Sequence, residues 1–98
     1  MWQFNTFTIG DIVSHNESPT YEFQIINVLR GEVEEQGNYM YVCKLFSGYV
    51  EGLGKEYNYV EPDLFFIRKG NQKELQELLQ ESLANEDYEI AAVIKKLL

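Results

Sequence analysis

The chain is poor in the residues that most metal, redox and cofactor chemistry requires. Its 98 residues include one cysteine, one histidine, one tryptophan and two prolines, and eight Lys and Arg stand against sixteen Asp and Glu. A lone Cys43 excludes an internal disulfide, a CxxC redox pair and a cysteine-rich zinc site. His15 could pair with Glu17, but transition-metal sites want three or more good donors. Its place beside Asn16 and Glu17 puts it at a strand end or in a loop and predicts a solvated histidine. The shortage of basic residues leaves a formal net charge of −8, with ten acids against five bases in residues 1–70 and six against three in 71–98. Such a field repels phosphate and anionic lipid, so direct nucleic-acid or membrane binding is disfavoured. Long hydrophobic runs are missing as well: none approaches the roughly 18 residues that span a bilayer. We expect a cytoplasmic chain with neither signal peptide nor transmembrane helix.

What the chain has is aromatic: seven Tyr and six Phe. In residues 7–69 apolar residues come in short runs broken by turn chemistry, the pattern of strands. The expected strands are 7–14, 21–30, 38–46, 57–60 and 65–69, with breaks at 16–20, 31–37, 48–54 and 61–64. Gly10 and Asp11 interrupt the first run, where glycine permits a bulge or a tight bend at a barrel corner. Pro62 marks a one-turn 3₁₀ link between the last two strands. Phe7-x-x-Gly10-Asp11-x-Val13 and this late turn resemble small SH3-like barrels of the Tudor or KOW kind, which implies a closed five-stranded β-barrel over residues 1–70.

After Gly70 good helix formers prevail. Asn71 and Glu74 have the N-cap and N3 spacing of a capping box. Leu75, Leu78, Leu79 and Leu83 recur on one helical face. A break at 84–86 precedes a second helix to Leu98, with Asp87 and Glu89 in its first turn and Lys95 and Lys96 in its last, as the helix dipole favours. So short a link makes residues 71–98 an αα-hairpin, packed as one unit with the barrel. The expected fold is α+β.

Tyr88, Glu89, Ala91 and Ala92, with the Leu-rich helix before them and the acidic turn between, resemble the second half of the UVR motif. This is the helical hairpin of the UvrB and UvrC excision-repair proteins and of McsA-type kinase activators. Lys95 and Lys96 stand where that family carries an Arg-Asp pair. The resemblance implies protein–protein association, with Leu79, Tyr88, Ala91, Ala92, Ile94 and Leu98 as the contact residues. The residues themselves leave open a dedicated foreign partner, a homodimer, or a hairpin that simply closes the barrel.

Other features carry less chemistry. Alternation puts Tyr39, Tyr41, Cys43 and Leu45 on one, buried face. The three glycines of 48–54 fit neither phosphate-loop nor dinucleotide spacing. Glu74, Glu77 and Glu81 form an acidic face on the first helix, solvated or aimed at a basic partner. Tyr41, Tyr57 and Tyr59 are candidates for an aromatic groove. No nucleophile, metal set or cofactor loop emerges, so we expect a non-enzymatic protein-interaction module, adaptor or regulatory, without cofactors. Two alternatives are an acidic inhibitor or nucleic-acid mimic on a basic site, and an accessory factor of nucleotide-excision repair or regulated proteolysis.

Overall fold

The computed structural model describes residues 7–29 and 40–98. Five strands, β1 (Ile12–His15), β2 (Ser18–Leu29), β3 (Met40–Ser47), β4 (Glu56–Val60) and β5 (Leu64–Arg68), precede two helices, α1 (Gln72–Ala84) and α2 (Tyr88–Leu97). The strands form one antiparallel sheet in the order β4-β3-β2-β1-β5. The first four make a meander, and β5 returns along the free side of β1.

The α+β order is as expected, but the barrel is not closed, because β4 and β5 do not pair and, among the described residues, are the two edges of the sheet. A one-turn 3₁₀ segment, Glu61–Asp63 with Pro62 inside it, joins them. That turn carries the chain onward instead of folding it back as a hairpin, and so delivers β5 to β1. The sheet nevertheless has to curl. Four residues of chain reach at most about 14 Å, whereas four interstrand spacings laid flat would separate the edges by about 19 Å. Asn16 fastens the curl by donating its backbone N–H to the Asp63 carbonyl at 2.9 Å.

Strand limits differ from expectation where side chains compete for the backbone. Residues 7–11 belong to a corner and not to β1. The Asp11 carboxylate accepts the Thr8 N–H at 3.0 Å and the Thr8 hydroxyl at 3.2 Å, and Gly10 takes φ +95°. The bend foreseen at this glycine is therefore the start of the fold. The expected break at 16–20 shrinks to a two-residue turn, with His15 opposite Ser18. Pro19 is accommodated near the start of β2, where a strand tolerates it. Expectations for residues 30–39, including the break at 31–37 and Tyr39, lie outside the described residues.

The two faces of the sheet are covered differently. Phe7, Val13, Phe23, Ile25, Tyr41, Cys43, Leu45 and Leu64 form the core inside the curl. Alternation sends Ile26 to the opposite face, where with Val28 it meets Ile9, Leu75, Leu78 and Ile94, so that the hairpin docks on the back of the sheet. Helix α1 starts as foreseen: Asn71 Oδ1 accepts the Glu74 N–H at 2.8 Å, and Glu74 Oε1 accepts the Asn71 N–H at 2.9 Å. The helices meet across the link 85–87, and among the described residues no helix is long and apolar enough to cross a membrane.

Ile94 is the deepest residue of the hairpin, fully buried. We expect Ile94→Ala to lower the free energy of unfolding by about 2–5 kcal/mol, and Val93→Ala, its exposed neighbour, to change it by less than about 0.5 kcal/mol. Urea midpoints at unchanged m-value check the pair.

Candidate functional site

The hairpin divides the apolar arc of α2 between the inside and the outside of the molecule. Ala91 and Ile94 are buried and Ile90 is half-buried, and Ile94 and Ile90 pack with residues of α1 and the sheet. This corrects their place among the contact residues: Ala91 and Ile94 are consumed in holding the hairpin to its own chain. Leu79 is half-buried and packs against the same cluster. Tyr88, 64% exposed, is left outward, as are Ala92 and Leu98. Two further apolar residues join them. Leu83, which shares the leucine face of α1 with Leu75, Leu78 and Leu79, is exposed on the helix's last turn, and Val93 is exposed on α2. Leu83 and Tyr88 flank the link 85–87, so both stand at the turn end of the hairpin.

The acidic face of α1 is partly neutralised by the sheet. Glu74 receives Arg68 through two parallel bonds of 2.8 and 2.7 Å. Glu81 Oε1 lies 2.7 Å from Lys44 Nζ. Glu77 is exposed. The guanidinium beside Glu74, aided by the Asn71 N–H, holds its carboxyl below the usual range against the opposing effect of burial. Two of the three carboxylates therefore act within the chain, clamping α1 to β5 and to β3.

The candidate aromatic groove is also redistributed. Tyr41 is fully buried, so it belongs to the core and not to a groove; its hydroxyl donates to Glu61 Oε1 and accepts the Phe7 N–H at 3.4 Å. Tyr57 and Tyr59 stack at 5.7 Å with planes 7° apart, and Phe23 meets both edge-on. They form a rim over the core, with Tyr57 exposed and Tyr59 half-buried. His15 ends β1, the strand-end alternative, but it is buried and not solvated. Its ring packs 4.2 Å from Tyr59, and its Nδ1 accepts the Glu17 N–H at 3.0 Å. Cys43 is buried in the core, and desolvation pushes its thiol up to about 12. Among the described residues no three His, Cys, Asp or Glu side chains converge on a point that could hold a metal ion.

One surface escaped the sequence reading. Phe65, Phe66 and Ile67 on β5 are 38%, 47% and 39% exposed. The run Leu64-Phe65-Phe66-Ile67 does not alternate, which signals a strand with the same character on both faces. The signal was present, but a closed barrel would have hidden it.

Comparison with known proteins returns no match from any family model, any curated protein or any solved structure. The functional reading rests on the surfaces described above.

Two expectations follow from the site. The Arg68–Glu74 pair contributes stability above the ordinary Glu pKa and loses it as pH falls through the lowered one. Arg68→Ala should therefore cost about 0.5–1 kcal/mol at neutral pH, a gap that closes below about pH 4.3. The gap should show no pH dependence in a Glu74→Gln background; chemical denaturation at stepped pH checks both. Separately, the Cys43 thiol should resist an aromatic disulfide reagent in native buffer and react fully in denaturant.

Proposed function

We propose that the chain is a non-enzymatic protein-interaction module, adaptor or regulatory in character, whose helical hairpin is the contact element. The carrying observation is the exposure of Tyr88 at the turn end of the hairpin, with Leu83 on the facing helix and Ala92 one turn along. A tyrosine supplies large contact area for few rotatable bonds and has a polar tip, so it anchors interfaces well. The hairpin behind it is rigidly seated, since Ala91 and Ile94 pack into the molecule and the Glu74 and Glu81 ion pairs tie α1 to the sheet.

The UVR-like residues support the same reading, with a change of emphasis. Tyr88 and Ala92 remain available to a partner, while Ala91 serves the hairpin itself. The sheet supports a scaffold role: an antiparallel meander, curled by a one-turn 3₁₀ link, is in this reading an SH3-like barrel left open along the β4–β5 seam. Cytoplasmic residence fits such a module. Lys95 and Lys96 close α2 with positive charge beside the exposed Tyr88 and Ala92 flank, which favours a partner with carboxylates at that position.

The test is a photo-crosslinking residue placed at Tyr88 and, as control, at exposed Lys73 near the far end of α1. We expect Tyr88, not Lys73, to capture a defined protein. Leu83→Glu with Tyr88→Glu should weaken its binding by about tenfold or more. Equal capture from both positions, or binding indifferent to the double change, would sink the reading.

A further inference from the structure

Between the back of the sheet and the turn end of the hairpin lies a cavity of about 200 Å³, and every residue lining it is among the described ones. The apolar part of its lining, Ile26, Val42, Leu78 and Ile90, is buried or half-buried. Ile26 is the extra residue of a bulge in β2, since Ile25 pairs with Cys43 and Asn27 with Val42. Bulges re-aim a side chain and are common beside binding sites. Small-molecule and cofactor sites usually start at about 300 Å³, so the volume suits a single side chain better than a cofactor.

The polar part of the lining is unbalanced. Glu56, Glu81 and Asp87 stand exposed at the cavity. Lys44 lies opposite Glu56 in the β3–β4 register but gives its ammonium to Glu81, so three carboxylates share one base. Asp87 is the N-cap of α2, where a carboxylate ordinarily accepts from the first turn of its own helix, yet it makes no such bond. Ser82 also lines the cavity and is only 6% exposed. Its hydroxyl donates to the Leu78 carbonyl at 2.9 Å, and among the described residues no donor reaches its lone pairs. Apart from the amides of Asn27 and Asn85, which can donate or accept, the polar side chains here have only acceptor capacity to spare.

We propose that this cavity is the socket for an arginine side chain of the partner protein, a proposal that rests on the hairpin being the contact element. The link 85–87 joins the two surfaces: Asn85 and Asp87 line the cavity, and Tyr88 follows directly. A partner seated on Tyr88 therefore stands at the cavity's rim. The occupant has to bring positive charge, donors without acceptors, and an apolar stem to lie against Ile26 and Ile90. Arginine and lysine both meet these terms. The forked donors of a guanidinium can divide among the carboxylates and the Ser82 hydroxyl, and the group is more weakly hydrated than an ammonium, which selects arginine. The net charge of −8 speeds the approach of such a partner.

The test needs no partner: N-acetyl-arginine amide is titrated into the isotope-labelled chain and the backbone amide resonances are followed. A ligand of this size held by exposed carboxylates should bind at about millimolar strength, with shifts concentrated at Ile26, Val42, Ser82 and Ile90. The citrulline amide, close in shape but uncharged, should bind about tenfold more weakly, and the lysine amide several-fold more weakly. Glu56→Gln with Asp87→Asn should weaken the arginine amide several-fold. Absent shifts, or shifts spread evenly over the acidic surface, overturn the proposal, as does citrulline or lysine amide binding as tightly as arginine amide. Should the double variant fail to fold, the comparison of the three amides on the wild type decides. Capture at Tyr88 without arginine-selective binding sinks the socket and leaves the hairpin contact standing, whereas failed capture at Tyr88 overturns both.

Discussion

The fold hinges on a backbone contact too tight for any side chain. A Cβ placed on Gly70 would lie 2.3 Å from the Gly10 carbonyl oxygen, and one placed on Gly10 would lie 2.4 Å from Leu75 Cδ2. Gly10 moreover sits at φ +95°, where L-residues are strained. At this one point the corner before β1, the exit from β5 and the first turn of α1 converge. Asp11, buried beside it, holds the corner through Thr8 and reaches Lys69 across the junction at 3.3 Å. Because the approach is so close, the helix has little freedom to slide. Leu75 and Leu78 come down over Ile9, Ile94 follows, and the inward and outward faces of α2 are fixed by a contact that lies before the hairpin begins.

That dependence explains what could be read from the sequence and what could not. Local devices were legible. The Asn71–Glu74 capping box, the 3₁₀ turn at Pro62, the bend at Gly10 and the buried Tyr41-Cys43-Leu45 face each depend on residues a few positions apart, and each formed as its chemistry dictates. Long-range decisions were not legible. Nothing near Ile94 says that the back of a sheet will cover it, so the part of the α2 arc beyond what one helix can bury could not be divided between the chain's own sheet and a partner. His15 looked solvated because its partner, Tyr59, lies forty-four positions away. The acidic face read as three carboxylates, since Lys44 and Arg68 come from strands that periodicity alone cannot place beside α1.

The expectation of closure concealed β5 in the same way. Once β5 is known to stand at the edge of the described sheet, its non-alternating run explains why Phe65, Phe66 and Ile67 stay partly exposed. The same four letters would be core in a parallel sheet and are half-open on this one. Topology decides between these, and the three-residue link at 61–63 decides the topology.

A partner at the hairpin would be recognised through side chains alone. Every backbone group within α1 and α2 beyond the end turns is already bonded inside its helix, so a partner at Tyr88 gains only side-chain contacts and must match them in shape. That favours selectivity and makes the contact sensitive to single substitutions.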